Sequence, residues 1–129
     1  MSVSGGVVPP NGITYYLSGP ISGDIAGNVK RFGEAATALR ERGYKVISPV
    51  EVCDDHLSNM GTPGKAQSWD WYMRRDIEAM LNDSVQGIIM LPGWEFSRGA
   101  RLELQVARAL NFTVADFAEC LLREVSINA

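Results

Sequence analysis

Positive charge is sparse in this chain of 129 residues: 12 Lys and Arg stand against 15 Asp and Glu, for a formal charge of −3. Tracking the phosphates of a long polynucleotide requires a Lys/Arg cluster, so polynucleotide is not an expected partner. Cysteine is nearly missing as well. Cys53 and Cys120 lie far apart and form no Cys-x-x-Cys, which leaves two reduced thiols as the expectation. The single histidine, His56, neighbours Cys53, Asp54 and Asp55, but no pair among them has metal-ligand spacing, so no metal site is expected. No run approaches the roughly 20 apolar residues of a membrane span. Residues 1–12 lack the basic and apolar regions of a signal peptide. The expected protein is cytoplasmic, with no membrane partner.

What is present suits one α/β domain. A chain of this length buries about two-thirds of its unfolded surface without disulfide or metal, and 46% hydrophobic with 21% charged residues is ordinary for a globular domain. Residues 1–12 are Gly/Pro-rich and aperiodic, a loose tail before a domain at 13–129. β-Branched and aromatic residues predict a strand over 13–17, broken by Ser18-Gly19-Pro20. Val29, Phe32, Ala36 and Leu39 recur at helical spacing, and Gly43 stands where a left-handed cap is wanted. A short strand at 44–47 precedes a polar loop over 50–67, long enough to suggest a lid. Ser68 is positioned to cap a helix over 69–82 that carries Trp69, Tyr72, Met73, Asp76, Ala79 and Met80 on one face. The near-continuous apolar run 85–91 predicts a central strand. A helix capped by Ser97 or Gly99, a strand at 112–114 and an amphipathic tail through Phe117, Leu121 and Val125 follow. Alternating strands and helices imply a parallel sheet wrapped by helices, with ligands beyond the strands' carboxyl ends.

Glu103 is the residue out of place. At about 3.6 residues per turn, Gly99, Ala100, Val106, Ala107 and Leu110 surround it on one helical face, while Arg101, Gln105 and Arg108 point away. An ionised carboxylate facing a core costs several kcal/mol unless it is paired, hydrogen-bonded or protonated. Asp76 sits in the same way on the preceding helix. Two half-buried carboxyls permit a division of labour in which one attacks as nucleophile and the other moves a proton, as glycosyl transfer requires. Plain structural pairing is the alternative: Asp76 with Arg74, Arg75 or Arg98, and Glu103 with a Tyr or Arg. The turn Ser18-Gly19-Pro20-Ile21-Ser22-Gly23 and the helix start Ser97-Arg98-Gly99 place backbone N–H groups where an anion such as phosphate would lie, or they are tight turns and nothing more. Trp69, Trp71, Tyr72 and Trp94 offer faces for a nucleobase or for packing.

Taken together and in order, Tyr16-Leu17-Ser18-Gly19-Pro20-Ile21-Ser22-Gly23, Gly43-Tyr44-Lys45-Val46-Ile47-Ser48-Pro49, Trp71-Tyr72-Met73-Arg74-Arg75-Asp76 and Met90-Leu91-Pro92-Gly93-Trp94-Glu95-Phe96-Ser97-Arg98-Gly99-Ala100-Arg101-Leu102-Glu103 resemble the nucleoside 2-deoxyribosyltransferase superfamily, its small phage and bacterial members above all. The resemblance covers about residues 13–115. It implies a flavodoxin- or Rossmann-like parallel sheet of four to five strands, a homodimer or larger homo-oligomer, and a small nucleoside or nucleotide as ligand. It also implies attack by Glu103 on the anomeric carbon, with Asp76 handling the base or its proton and Tyr16 near sugar and nucleophile. The relatives that hydrolyse 2'-deoxynucleoside 5'-monophosphates contact phosphate through a first-turn Gly and a Ser six residues before the Glu, here Gly19 and Ser97. Where those hydrolases carry an Arg in the first turn, this chain has Ser22. Pro20, Ser22, Gly23, Gly99, Trp94 and Trp69 complete the expected substrate-binding set, and the scheme requires no metal and no organic cofactor.

Overall fold

The computed structural model describes residues 12–21, 25–52, 68–82 and 84–122. Strand β1 (Thr14–Ser18) leads into helix α1 (Ile25–Glu41), strand β2 (Lys45–Ile47) and a short helix α2 (Pro49–Val52). Helix α3 (Trp69–Met80), strand β3 (Val85–Met90), a 3-10 turn at Trp94–Phe96, helix α4 (Arg98–Ala109), strand β4 (Thr113–Asp116) and helix α5 (Phe117–Cys120) follow. All four strands are parallel, in the order β2-β1-β3-β4, which makes this an α/β fold of the flavodoxin-like kind.

Strand alternation sorts the core into two layers. Tyr15 and Leu17 face α1 and α5 in a cluster with Phe32, Leu39, Ile89 and Cys120. Tyr16 faces the other way, into a cluster with Met80, Ile88, Met90, Ala100, Leu104 and Ala107 from β3, α3 and α4. Every residue of β3 except Gln86 is buried, as its apolar run predicts for a strand covered on both faces. Gly87 interrupts that run for a packing reason. The Tyr15 ring lies over it so closely that a Cβ there would come within 2.4 Å of Tyr15 Cδ2. Gly43, at φ +89°, ends α1 as expected: its N–H donates to Arg40 O and that of Tyr44 to Leu39 O.

Several boundaries differ from the sequence expectation. Ser18 is the last residue of β1 rather than part of the turn, because the ladder to β3 runs on: Ser18 pairs with Met90, and its carbonyl accepts the Leu91 N–H at 2.8 Å. The expected loop at 50–67 opens with helix α2, and the residues beyond it that would form a lid, 53–67, lie outside the described residues. Ser68 occupies the N-cap position of α3 without a side-chain capping bond. β4 extends to Asp116, whose carboxylate accepts the Glu119 N–H at 3.3 Å and so starts α5. Leu110 is 44% exposed rather than part of the Glu103 stripe, because α4 has ended at Ala109. Val125, the tail 1–11, and Cys53, Asp54, Asp55 and His56 also lie outside the described residues. Among the described residues no helix is long and apolar enough to cross a membrane.

Candidate active site

The chain passes from β1 outward to β2 and returns to place β3 on the other side of β1. The crevice at the carboxyl ends of β1 and β3 is therefore the topological switch point, where open parallel sheets bind ligands. Ser97 sets the geometry on the β3 side. Its hydroxyl accepts the Ala100 N–H at 3.2 Å, which settles the capping alternative in its favour and fixes the rotational phase of α4. That phase turns Ala100, Glu103, Leu104 and Ala107 inward. Helix α3 buries Tyr72, Met73, Asp76 and Met80 at helical spacing toward α4 and the sheet. The two helices approach closely because Gly99 carries no side chain: a Cβ there would lie 3.0 Å from Met73 Sδ.

Four side chains converge as a result. Tyr16 donates its hydroxyl to Glu103 Oε2 at 2.9 Å, and Ser18 donates to Glu103 Oε1 at 2.6 Å. Asp76, from α3, lies against Glu103, near enough for the two carboxyls to act on each other's protonation. Only 4% of Glu103 and 8% of Asp76 is exposed. The arginines that sequence spacing offered to Asp76 are engaged elsewhere: Arg74 reaches Asp70 at 3.9 Å, Arg75 lies over Trp71 at 4.1 Å, and Arg98 over Trp69 at 3.7 Å. Glu103 does take a tyrosine partner, together with a serine and a second acid.

Burial raises the Asp76 carboxyl to about 7, against a hydrogen bond with Glu103 that lowers it. Burial also pushes Glu103 well above the usual carboxylate range and the Asp76 charge adds to the shift, while the hydrogen bonds from Ser18 and Tyr16 pull it back. Two carboxyls in contact titrate as a unit, so the step near 7 belongs to the pair. Below it both carboxyls are protonated. Above it the pair keeps one proton and one negative charge, the state required for one group to attack while the other donates.

The remaining expected residues divide by location. Trp94 is half-buried against the cluster that holds Tyr16 and Ala100, on the Glu103 side of the sheet. Ser97 and Gly99 open α4 on that side. Gly19 is needed for close approach, since a Cβ there would meet Leu91 Cβ at 2.8 Å. Pro20 borders a cavity of about 370 Å³ on the opposite face, lined by Phe32, Ala35, Leu91, Pro92 and Phe117 among others. Trp69, 36% exposed under the Arg98 guanidinium, lines an outer hollow with Arg101, Leu102 and Gln105 and is not brought to Glu103. Ser22 and Gly23 lie outside the described residues. Ser18 is the site residue that sequence reading assigned to the turn, although its spacing from Tyr16 carried the signal: residues i and i+2 of a strand share a face.

Among the described residues no group of three or more His, Cys, Asp and Glu is placed to hold a metal ion. No curated protein and no solved structure matches the chain. A family model described as "Domain of unknown function (DUF4406)" matches residues 13–116, from β1 through β4 and across all four converging side chains, and the chain belongs to that family.

Proposed function

We propose that this protein cleaves the N-glycosidic bond of a (deoxy)nucleoside 5'-monophosphate or (deoxy)nucleoside, with hydrolysis favoured. The observation that carries the reading is the buried carboxyl pair, Glu103 with both oxygens hydrogen-bonded and Asp76 against it. Glu103 attacks the anomeric carbon while the carbon–nitrogen bond to the base breaks, and Asp76 passes its proton to the departing base. The resulting sugar ester divides one hard displacement into two easier ones. Asp76, now a carboxylate, takes a proton from water as the water oxygen attacks the anomeric carbon, and the ester bond to Glu103 breaks. Both residues return to their starting states. The resemblance to nucleoside 2-deoxyribosyltransferases supports this assignment of roles, as does the position of the pair at the switch point.

The preference for a 5'-phosphate rests on the N-terminus of α4, where Ser97 retains a hydroxyl proton to donate, and on the close-packed Gly19 turn. Transfer to a second base instead of water is the alternative, and Ser22 in place of the hydrolases' first-turn Arg favours an unphosphorylated substrate in that case. The proposed assembly is a homodimer or larger. Chromatographic detection of free base tests the reading, using deoxynucleosides, their monophosphates, the ribo counterparts and NAD, each with and without an acceptor base. Base released from one class without acceptor identifies a hydrolase and its substrate, and exchange that needs acceptor identifies a transferase. No release from the whole panel refutes both and leaves a nucleotide-binding protein.

A further inference from the structure

Tyr16 and Ser18 are two residues apart on β1, and Leu17 between them faces the opposite layer. The strand therefore presents two hydroxyls side by side to α4, and each reaches a different oxygen of one carboxylate, Ser18 at Oε1 and Tyr16 at Oε2. Ser18 is held rigidly for this. It is 0% exposed, lies within the β1–β3 ladder, and has its carbonyl bonded to the Leu91 N–H. The titratable groups facing Glu103 are Tyr16 from β1 and Asp76 from α3. An ionised carboxylate only accepts hydrogen bonds, whereas a protonated oxygen must donate one. Hydroxyls donating to both Glu103 oxygens favour its ionised form, the stronger acceptor, and a proton on Asp76 completes the network by donating to Glu103. Burial of Glu103 and its contact with Asp76 act in the opposite direction, and the two fixed hydroxyls offset them.

We propose that Ser18 is a positioning residue that, by occupying Glu103 Oε1, assigns the single proton of the carboxyl pair to Asp76 and keeps Glu103 ionised. Calling the ionised Glu103 a nucleophile rests on the glycosidase reading, but the proton assignment itself needs no substrate. Without the Ser18 hydroxyl, Oε1 is open to protonation, and the pair can hold its proton on the wrong residue. Glu103 could then neither attack nor could Asp76 donate, so one lost hydrogen bond disables both roles.

The test is carbon-13 NMR of the full chain labelled at Asp and Glu side-chain carboxyls, titrated with pH. The two signals are assigned by their loss in Glu103→Gln and Asp76→Asn. In the one-proton state the wild type should show Glu103 at the carboxylate position and Asp76 at the acid position. Ser18→Ala should move Glu103 toward the acid position and Asp76 toward the carboxylate position, and Ser18→Thr, which restores a hydroxyl, should move both back. If a substrate is known, Ser18→Ala should lower kcat at least about tenfold with little change in KM. A wild-type Glu103 that carries the proton overturns the proposal from one spectrum, even if no variant folds. A folded Ser18→Ala protein with the wild-type distribution overturns it as well. The expected spectra in a protein that releases no base would sink the glycosidase reading and leave the proton assignment standing.

Discussion

Replacing both acids of the pair, Asp76→Asn together with Glu103→Gln, should make the protein more stable at neutral pH than it is with its native acids. In the fold the pair loses its first proton at about 7, whereas a carboxyl in the unfolded chain releases it near 3.8. A carboxyl raised by folding stabilises the fold fully below its unfolded value, and that contribution is lost as pH rises through the folded value. The distance from 3.8 to about 7, at about 1.4 kcal/mol per pH unit, corresponds to about 4 kcal/mol as an upper magnitude. Asn and Gln keep the two shapes and can hydrogen-bond to each other without a charge. The variant should therefore start near parity at about pH 4 and exceed the wild type by about 2–4 kcal/mol at about pH 8. Urea unfolding followed by tryptophan fluorescence across this range measures the difference, with equal denaturant slopes showing that the compared states are alike. Parallel stability curves for the two proteins would refute the reasoning, because they would mean that the carboxyl pair titrates alike in the folded and unfolded chains.

Glu103→Ala should abolish base release, by about 10⁴-fold or more, while circular dichroism and melting stay near wild type; undiminished release would remove Glu103 from the chemistry. Activity should rise as pH increases through about 7, where the pair loses its first proton and gains a nucleophile. A rate that falls through that region would contradict the assignment. Gly87→Ala should cost about 1–3 kcal/mol by forcing a methyl into the Tyr15 ring 2.4 Å away. Gly33→Ala on α1 meets no atom within 4 Å and should instead gain about 0.5–1 kcal/mol, so equal melting shifts in the two variants would count against the packing account.

The sequence by itself determined the order of strands and helices, the parallel sheet and the burial of Glu103 and Asp76. Each of these follows from a short-range regularity: period two in β1, period 3.6 in α3 and α4, an unbroken apolar run in β3, glycine at a left-handed cap. Tyr16 was legible as a site residue through the family resemblance. Ser18 was not, because a serine before Gly-Pro reads locally as turn chemistry, and only pairing with Met90 and Leu91 draws it into the strand. Trp69 shows the converse: its helical phase places it with the buried face, but it is the first residue of α3, where Arg98 of the next helix covers its ring on the outer surface. Only the tertiary structure decided that Asp76 meets Glu103 rather than an arginine, since that depends on how closely α3 approaches α4 over Gly99. Spacing along one helix can bury a carboxylate. Which groups share its proton depends on packing between elements distant in the chain, which no single periodicity encodes.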